Sequence, residues 1–536
     1  MKWSPNNTQA TQRRIDTNQH WVEAQNGRAD CDSCVSGTIV RTSASFPLFA
    51  SVQKVLCIAL LLAGCAVGPN YRPPQVTMPP AYNEQLTAAT NQPSAELSQW
   101  WRLFHDAQLD TLIEQATLAN HDVRLAVARV REARAQAGIS RSALFPSLNA
   151  KGEYSRQRLS RNTPSGFLAR AADQPLEQNV LDAGFDLNWE IDLFGGNRRA
   201  LQAAHADLAS SVESSRGVLI TVIGEVGLNY LDLRGVQKQL AVARDNLRLQ
   251  DQTLDLTRDR FKAGLASELD TARAEAQAEN TRSQIPLLEQ DIQRSIYRLG
   301  TLLGKQPAEL EWQLLTPAPL PPAIPGIPVG LPSDLLRRRP DIRQAEREVA
   351  AATARVGVAT ADLFPRFFLT GVAGLQSLNA GDFFTGGSHF WSLGPSVRWP
   401  IFTAGRIRQG IEVQNARQEQ ALIRYEQTVL TSLEEVEDAL VACGKEQAHH
   451  QALAQSEAAN RRALELAAQR YRSGLVDFLN VLETQRSLLA AQDALARSER
   501  TLDQNLVRLY KAIGGGWSGE TQLAGIKSNA TQQQSK

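Results

Sequence analysis

Residues 181–193 read Leu-Asp-Ala-Gly-Phe-Asp-Leu-Asn-Trp-Glu-Ile-Asp-Leu, an alternation without a break. Leu181, Ala183, Phe185, Leu187, Trp189, Ile191 and Leu193 fall on one face; Asp182, Gly184, Asp186, Asn188, Glu190 and Asp192 fall on the other. A period of two predicts a strand with one apolar and one acidic face, and its 13 residues exceed the usual globular length. Further strands are expected at 147–155, 366–376 and 391–401, the last with Trp391, Leu393, Val397, Trp399 and Ile401 together. The connections at 156–179 and 377–389 are rich in Gly, Asn and Asp and read as exposed loops. Strands of this length, apolar on one side and with tryptophans near their ends, suit an outer-membrane barrel. A soluble sandwich with one wet face would give the same alternation, so pattern alone leaves both open.

The plan occurs twice. Residues 122–146 lie over 341–365 at a constant offset of 219, with 10 of 25 positions identical, and both stretches end in Leu-Phe-Pro. Arg260-Phe261-Lys262-Ala263-Gly264-Leu265 returns at offset 210 as Arg470-Tyr471-Arg472-Ser473-Gly474-Leu475. A repeat of about 200 residues is too long for a solenoid and predicts two related halves, 106–304 and 334–514, joined by a Pro-rich linker at 305–333. Each half opens with a shorter helix (109–142; 340–361) and closes with two long ones (197–261 and 268–303; 406–471 and 478–513). No proline interrupts 197–261, and an apolar 4-3 spacing runs from Leu208 through Leu219, Leu233 and Leu247 to Phe261. Such a coiled-coil helix would extend ~100 Å. Several shorter helices broken at Gly224, Gly227 or Gly235 are the alternative. Pro286 predicts a kink or a discontinuity in the return helix.

Residues 56–64 form a short apolar run behind Lys54, closed by Leu62-Ala63-Gly64-Cys65. The run is too short to span a bilayer and reads as a secretory h-region, with the signal peptide at 51–64. Residues 1–50 fit neither a signal nor a core and are expected to be an extension ahead of a true start near Val52. Cys31 and Cys34 lie there and are not read as a metal site. Leu-Ala-Gly-Cys resembles the bacterial lipobox, which implies cleavage before Cys65 and a diacylglyceryl group on its thiol. No Asp follows Cys65, which implies an outer-membrane destination. The alternative is a structural cysteine behind an ordinary signal. Pro69, Pro73, Pro74, Pro79 and Pro80 make 65–105 an extended leader, and 515–536 is expected to be a disordered tail. Cys443 continues the seam of Val429, Leu433, Val436 and Leu440 and should be a buried packing residue.

The secretory signal favours the membrane barrel over the sandwich. Four strands cannot close one, and open edges in hydrocarbon leave backbone groups unpaired at several kcal/mol each. The chain must therefore share a barrel with copies of itself, in 8, 12 or 16 strands. The fold class is mixed α+β: a membrane sheet continuous with long coiled-coil helices.

Cys65 with its lipobox, Asp106 with Leu109, the two Leu-Phe-Pro ends, residues 336–342 (Leu-Arg-Arg-Arg-Pro-Asp-Ile) and residues 471–479 together resemble the TolC-like outer membrane factor family, in its lipid-anchored NodT-type branch. The resemblance covers the chain from Cys65 to Gly514. It implies a homotrimer with a 12-stranded barrel and a helical tunnel through the periplasm. It also implies docking on a periplasmic adaptor and an inner-membrane transporter of RND or similar type, for efflux of drugs or other small molecules. In the family the helix-turn-helix tips close the tunnel and meet the adaptor. The candidate docking residues are accordingly Gly264, Leu265, Gly474, Leu475, Tyr471 and Arg472. Asp477 matches an aperture position; the second acidic position is Asn480 here, which departs from the usual two-tier ring. Its first-half equivalent is Asp270, so Asp270 and Asp477 are the candidate ring. A plain helix-capping role for Asp477 is the competing reading. The barrel lumen would inherit Asp182, Asp186, Glu190 and Asp192, an acidic lining that favours cations.

No catalytic pattern is present. There is no phosphate-binding loop, no dinucleotide turn and no GxSxG, and no cofactor is expected. His449 and His450 are adjacent on a helix, about 100° apart, which makes a poor chelate. The formal net charge of +1 gives no case for nucleic acid. A protein-secretion (type I) conduit is the rival within the fold, and a periplasmic scaffold lipoprotein without a pore is the rival outside it.

Overall fold

A computed structural model describes residues 66–83, 95–321 and 332–517. Cys65, the signal segment, the extension at 1–50 and residues 518–536 lie outside the described residues. The major helices are α1 (Ala107–Ala119), α2 (His121–Ser142), α3 (Gly196–Lys262), α4 (Glu268–Leu302), α5 (Pro340–Ala361), α6 (Arg406–Arg472) and α7 (Phe478–Ala512). The strands are β1 (Ser147–Arg158), β2 (Glu177–Ile191), β3 (Arg366–Ser377) and β4 (His389–Arg398).

The four strands form one antiparallel sheet in the order β1-β2-β3-β4, so β2 of the first half pairs with β3 of the second. Register sets the chemistry of each face. Leu148 opposes Leu187, Phe185 opposes Ala373, Trp189 opposes Leu369, and Leu393 opposes Gly371, so most apolar positions of the four strands share one side, while Val180, Phe368, Val372 and Phe390 fall on the other. Among the described residues no strand pairs with the outer edges of β1 or β4. The sheet differs from expectation at its ends. β2 starts four residues earlier and stops at Ile191, which leaves Asp192 and Leu193 outside it. β4 ends at Arg398, so Trp399 and Ile401 lie beyond the ladder.

α3 and α6 each run for 67 residues, ~100 Å at 1.5 Å per residue, without a break at any glycine. Both begin after a left-handed glycine, Gly195 and Gly405. Along the predicted seam of α3, Leu219, Val222, Val226, Leu233, Val236, Leu240 and Leu254 are buried, but Phe261 is not. At mid-length Tyr230, Leu231 and Arg234 are buried as well; Tyr230 Oη donates to Asp106 (2.5 Å) and Arg234 to the Thr316 carbonyl (3.1 Å), which packs the start of α1 and the linker on this turn. α4 continues through Pro286, which sits on an exposed face where water can reach the carbonyl it leaves unpaired.

The expected helix 109–142 is two helices. Asn120 ends α1 and caps α2, accepting from the amides of Asp122 (2.8 Å) and Val123 (3.1 Å) while its own amide donates to the Leu302 carbonyl (2.8 Å). The leader is not free. Val67 N–H donates to Phe194 O (3.1 Å), Tyr71 Oη donates to Glu346 (2.8 Å), and residues 95–104 form a 3₁₀ helix that buries Trp100, Trp101 and Phe104. The Trp100 ring stacks on Tyr510 at 5.4 Å. The linker likewise inserts Leu310 and Leu314 into the core. The first tail residues are also anchored: the Trp517 indole donates to Arg338 O (3.0 Å).

Each half joins helix to sheet in the same way. Trp189 Nε1 donates to Leu144 O and Trp399 Nε1 to Leu363 O, both at 3.1 Å, which closes the two Leu-Phe-Pro corners. Phe194 stacks on Phe364 across the halves at 4.7 Å.

Candidate functional site

The polar face of the sheet carries Glu153, Asp182, Asp186 and Glu190, but also Lys151, Arg366 and Arg398. Four acids against three bases leave a net charge of −1 on this face. Two of the bases sit on acids, Lys151 Nζ 3.4 Å from Asp182 and Arg366 3.8 Å from Glu190, while Arg398 lies over the Phe368 ring at 5.5 Å. Asp186 accepts from Asn149 Nδ2 at 3.0 Å. Asp192 lies past the strand, where its carboxylate accepts the Arg198 amide (2.8 Å) and holds the start of α3. The face expected to form an acidic lining is therefore nearly neutral in charge. The basic partners came from strands read only for their apolar positions.

At the far end of the helices lie two turns of one design. Gly264 (φ +72°) donates to Phe261 O and Leu265 to Arg260 O (2.8 Å); Gly474 (φ +72°) donates to Tyr471 O and Leu475 to Arg470 O (2.9 Å). These paired bonds are the Schellman closure, and the left-handed position is why glycine stands there. A side chain at either glycine would meet nothing within 4 Å in this chain. Leu265 and Leu475 project beside them, 69% and 73% exposed.

The two tips differ just beyond the turn. Ser267 opens α4 with a capping box: Asp270 N donates to Ser267 Oγ (3.2 Å), and Ser267 N and Oγ donate to Asp270 Oδ2 (3.1 and 2.7 Å). The Asp270 carboxylate is thus engaged in holding its own helix. Asp477 stands where Ser267 stands in the first half, and its side chain makes no capping bond. Asn480, the counterpart of Asp270, donates from its backbone to Asp477 O (3.2 Å). The structure accordingly separates the two candidate ring carboxylates, one tied and one untied. Asp477 does stand at the N-cap of α7, where the helix macrodipole favours a carboxylate, but it makes no side-chain capping bond there.

Tyr471, expected among the docking residues, is buried. It is 7% exposed and packs on Phe478 at 5.7 Å, within a small cluster of Leu254, Ala274, Val481 and Leu482. Arg260 covers its ring at 4.7 Å and donates to its carbonyl (3.2 Å), so this arginine ties the two tips together. Sequence reasoning missed Arg260, although it opens the repeated hexad. Arg472 remains exposed.

Among the described residues no group of three His, Cys, Asp or Glu side chains could hold a metal, and burial pushes the Cys443 thiol up to about 11. Among the same residues no helix is long and apolar enough to cross a membrane.

Comparison with known proteins agrees with this geometry. The family described as outer membrane efflux protein matches residues 112–305 and 331–515, one segment for each half. Nodulation protein T of Rhizobium leguminosarum bv. trifolii is 32% identical over 461 residues, covering 86% of this chain and 96% of that protein. The pyoverdine export outer membrane protein OpmQ of Pseudomonas aeruginosa is 35% identical over 478 residues, covering 88% and 98%. The solved outer-membrane channel OprN superposes with a TM-score of 0.78 at 36% identity, covering 84% of this chain and all of that one.

Proposed function

We propose that this chain, which belongs to the outer membrane efflux protein family, is the outer-membrane channel of a tripartite efflux pump. It passively conducts drugs or other small molecules from an inner-membrane transporter and a periplasmic adaptor to the cell exterior. Three copies would give 3 × 4 = 12 strands in one barrel. The observation that carries the reading is the sheet. It has one mainly apolar face, with Arg156, Arg158 and Glu177 gathered at one end, and among the described residues two unpaired edges, and it stands on helices that outreach a compact core. Edges of that kind are tolerable in lipid only when another copy covers them.

In this assembly Cys65 carries the lipid anchor. The tips bearing Gly264, Leu265, Gly474, Leu475 and Arg472 face the adaptor, and Asp477 borders the aperture. The near-neutral lining suits a conduit that does not select by charge, leaving selection to the transporter.

The test is purification of the full chain in detergent. A heat-modifiable trimer with single-channel conductance in planar bilayers is expected, together with restored export in a strain lacking its own channel. A monomer that never conducts would overturn the proposal and favour the scaffold lipoprotein.

A further inference from the structure

The apolar face of the sheet changes character along its strands. Near the helices it carries Leu148, Leu187, Trp189, Phe367 and Val397, with no charged side chain among them. Every Asp, Glu, Lys and Arg on this face stands at the opposite end, where Arg156 faces Asn179 and Arg158 faces Glu177. The two arginines follow Tyr154 at two and four positions, so all three share a side of β1. An Nη of Arg156 donates to Glu177 at 3.1 Å, and Arg158 approaches the other oxygen of that carboxylate at 3.8 Å. Two guanidiniums thus share one carboxylate, which leaves the group a net charge of +1. Their side chains are 69% and 66% exposed. A guanidinium has five N–H donors, so most of those on each arginine remain for a further acceptor.

Strand geometry sets the height of the pair. Arg156 and Arg158 lie eight and ten residues beyond Leu148. At ~3.3 Å per residue and a tilt of ~40°, they stand ~20 and ~25 Å above it. The apolar band of an outer-membrane barrel is ~25 Å tall, so both guanidiniums meet the headgroup layer on the side away from the helices. Exposed Tyr154 and Trp391 accompany them at that end. One snorkelling arginine would need no ligand at this depth. Two planar forks held together by a single carboxylate present a surplus of aligned donors to an anion.

We infer that Arg156 and Arg158 bind the phosphate of a phosphorylated glycolipid, of the lipopolysaccharide type that forms the outer leaflet of an outer membrane. The inference rests on the channel reading for which face meets lipid and which end points outward. Phosphate oxygens accept paired N–H bonds from a guanidinium fork, and acyl chains lie against Tyr154, Leu181 and Phe185 on the same face. The helix-proximal end of that face has no such cation, so the site is one-sided, as the two leaflets are. β1 is an edge strand, which places each site at a seam between copies in the proposed barrel.

The probe is diphosphoryl lipid A, titrated into the purified full chain in detergent and counted by native mass spectrometry. Saturable binding of one lipid per chain is expected, weakening as salt is added. Lipid A stripped of both phosphates, and phosphatidylglycerol, should each bind roughly tenfold more weakly or worse. Arg156→Gln together with Arg158→Gln should lose about tenfold in affinity. Lys151→Gln removes a cation from the same strand but the opposite face, and should bind normally. Glu177→Gln frees both guanidiniums and should tighten binding by roughly twofold to fivefold, the worth of an exposed ion pair. A cluster that merely held the hairpin together would not give that gain. Equal binding of the dephosphorylated lipid, of phosphatidylglycerol or by the double variant would overturn the inference, as would weaker binding by Glu177→Gln. Trimer mass and bilayer conductance of the same samples read the channel proposal separately. A conducting trimer with no preference for phosphate sinks this inference alone, whereas a monomer that never conducts sinks the channel.

Discussion

The two hairpin tips share a turn and diverge three residues later. In the first, the hydroxyl of Ser267 and the carboxylate of Asp270 satisfy the opening amides of α4, and the aromatic Phe261 is left 45% exposed. In the second, Tyr471 and Phe478 are drawn into a small apolar cluster, and Asp477 opens α7 without using its side chain. One tip is held by polar capping, the other by packing. The lesson is about release of constraint. Where aromatic burial secures the helix start, the capping position no longer needs to cap, and its carboxylate is available for another task.

The comparison is most strongly tested at the glycines. Gly474→Trp adds bulk where the chain itself has open space, so folding bears only the left-handed strain of about 1–2 kcal/mol. Export should be lost while the trimer persists on native gels. Gly264→Trp at the same φ tells whether docking uses both tips or one. Full export by both variants would remove the glycines from the docking surface. Next in size, Tyr471→Ala should destabilise the second tip by ~3 kcal/mol, against under about 0.5 kcal/mol for Phe261→Ala. Limited proteolysis at the tips measures both, and equal susceptibility would erase the distinction drawn here.

A smaller effect concerns charge. Asp477→Ala should raise single-channel conductance or weaken block by multivalent cations, by roughly twofold to threefold for one ring of charge near the axis. Asp270→Ala should leave both unchanged, because that carboxylate is engaged locally. If Asp270→Ala altered block as much as Asp477→Ala, the division between tied and untied carboxylates would be wrong.

Much of this architecture is legible from the chain alone, for physical reasons. A period of two over residues 181–193 and a 4-3 seam over the long helix each select one backbone geometry. A duplicated hexad ending in Gly-Leu fixes where each helix turns. The strand faces follow because register in a sheet with one buried side is strongly constrained. What escaped is long-range or compensatory. Asn120 reads as one more polar residue in a helix until its amide reaches Leu302 from 182 positions away. The proline-rich leader hides Trp100, which finds its partner Tyr510 at the other end of the chain. Lys151 and Arg366 neutralise acids on strands other than their own, so a strand read singly overstates the charge of the lining. Capping at Ser267 was readable, since Ser-x-x-Asp at a helix start is a local signal.

That local signal can be moved, which gives the finest test of the comparison. Ser267→Ala removes one half of the capping box and should cost about 1 kcal/mol, confined to the first turn of α4. The reciprocal change, Asp477→Ser together with Asn480→Asp, writes the first tip's box into the second. The backbone at both helix starts is extended, with ψ of 157° at Ser267 and 158° at Asp477, so the transplanted side chains find the same geometry. Hydrogen exchange at the amide of residue 480 should slow by roughly fivefold, the equivalent of about 1 kcal/mol. Because the same change deletes the Asp477 carboxylate, conductance should move as it does in Asp477→Ala even though the tip has become more rigid. Slower exchange with unchanged conductance would show that Asp477 contributes nothing at the aperture, and packing at Tyr471 would then be the only functional difference between the tips.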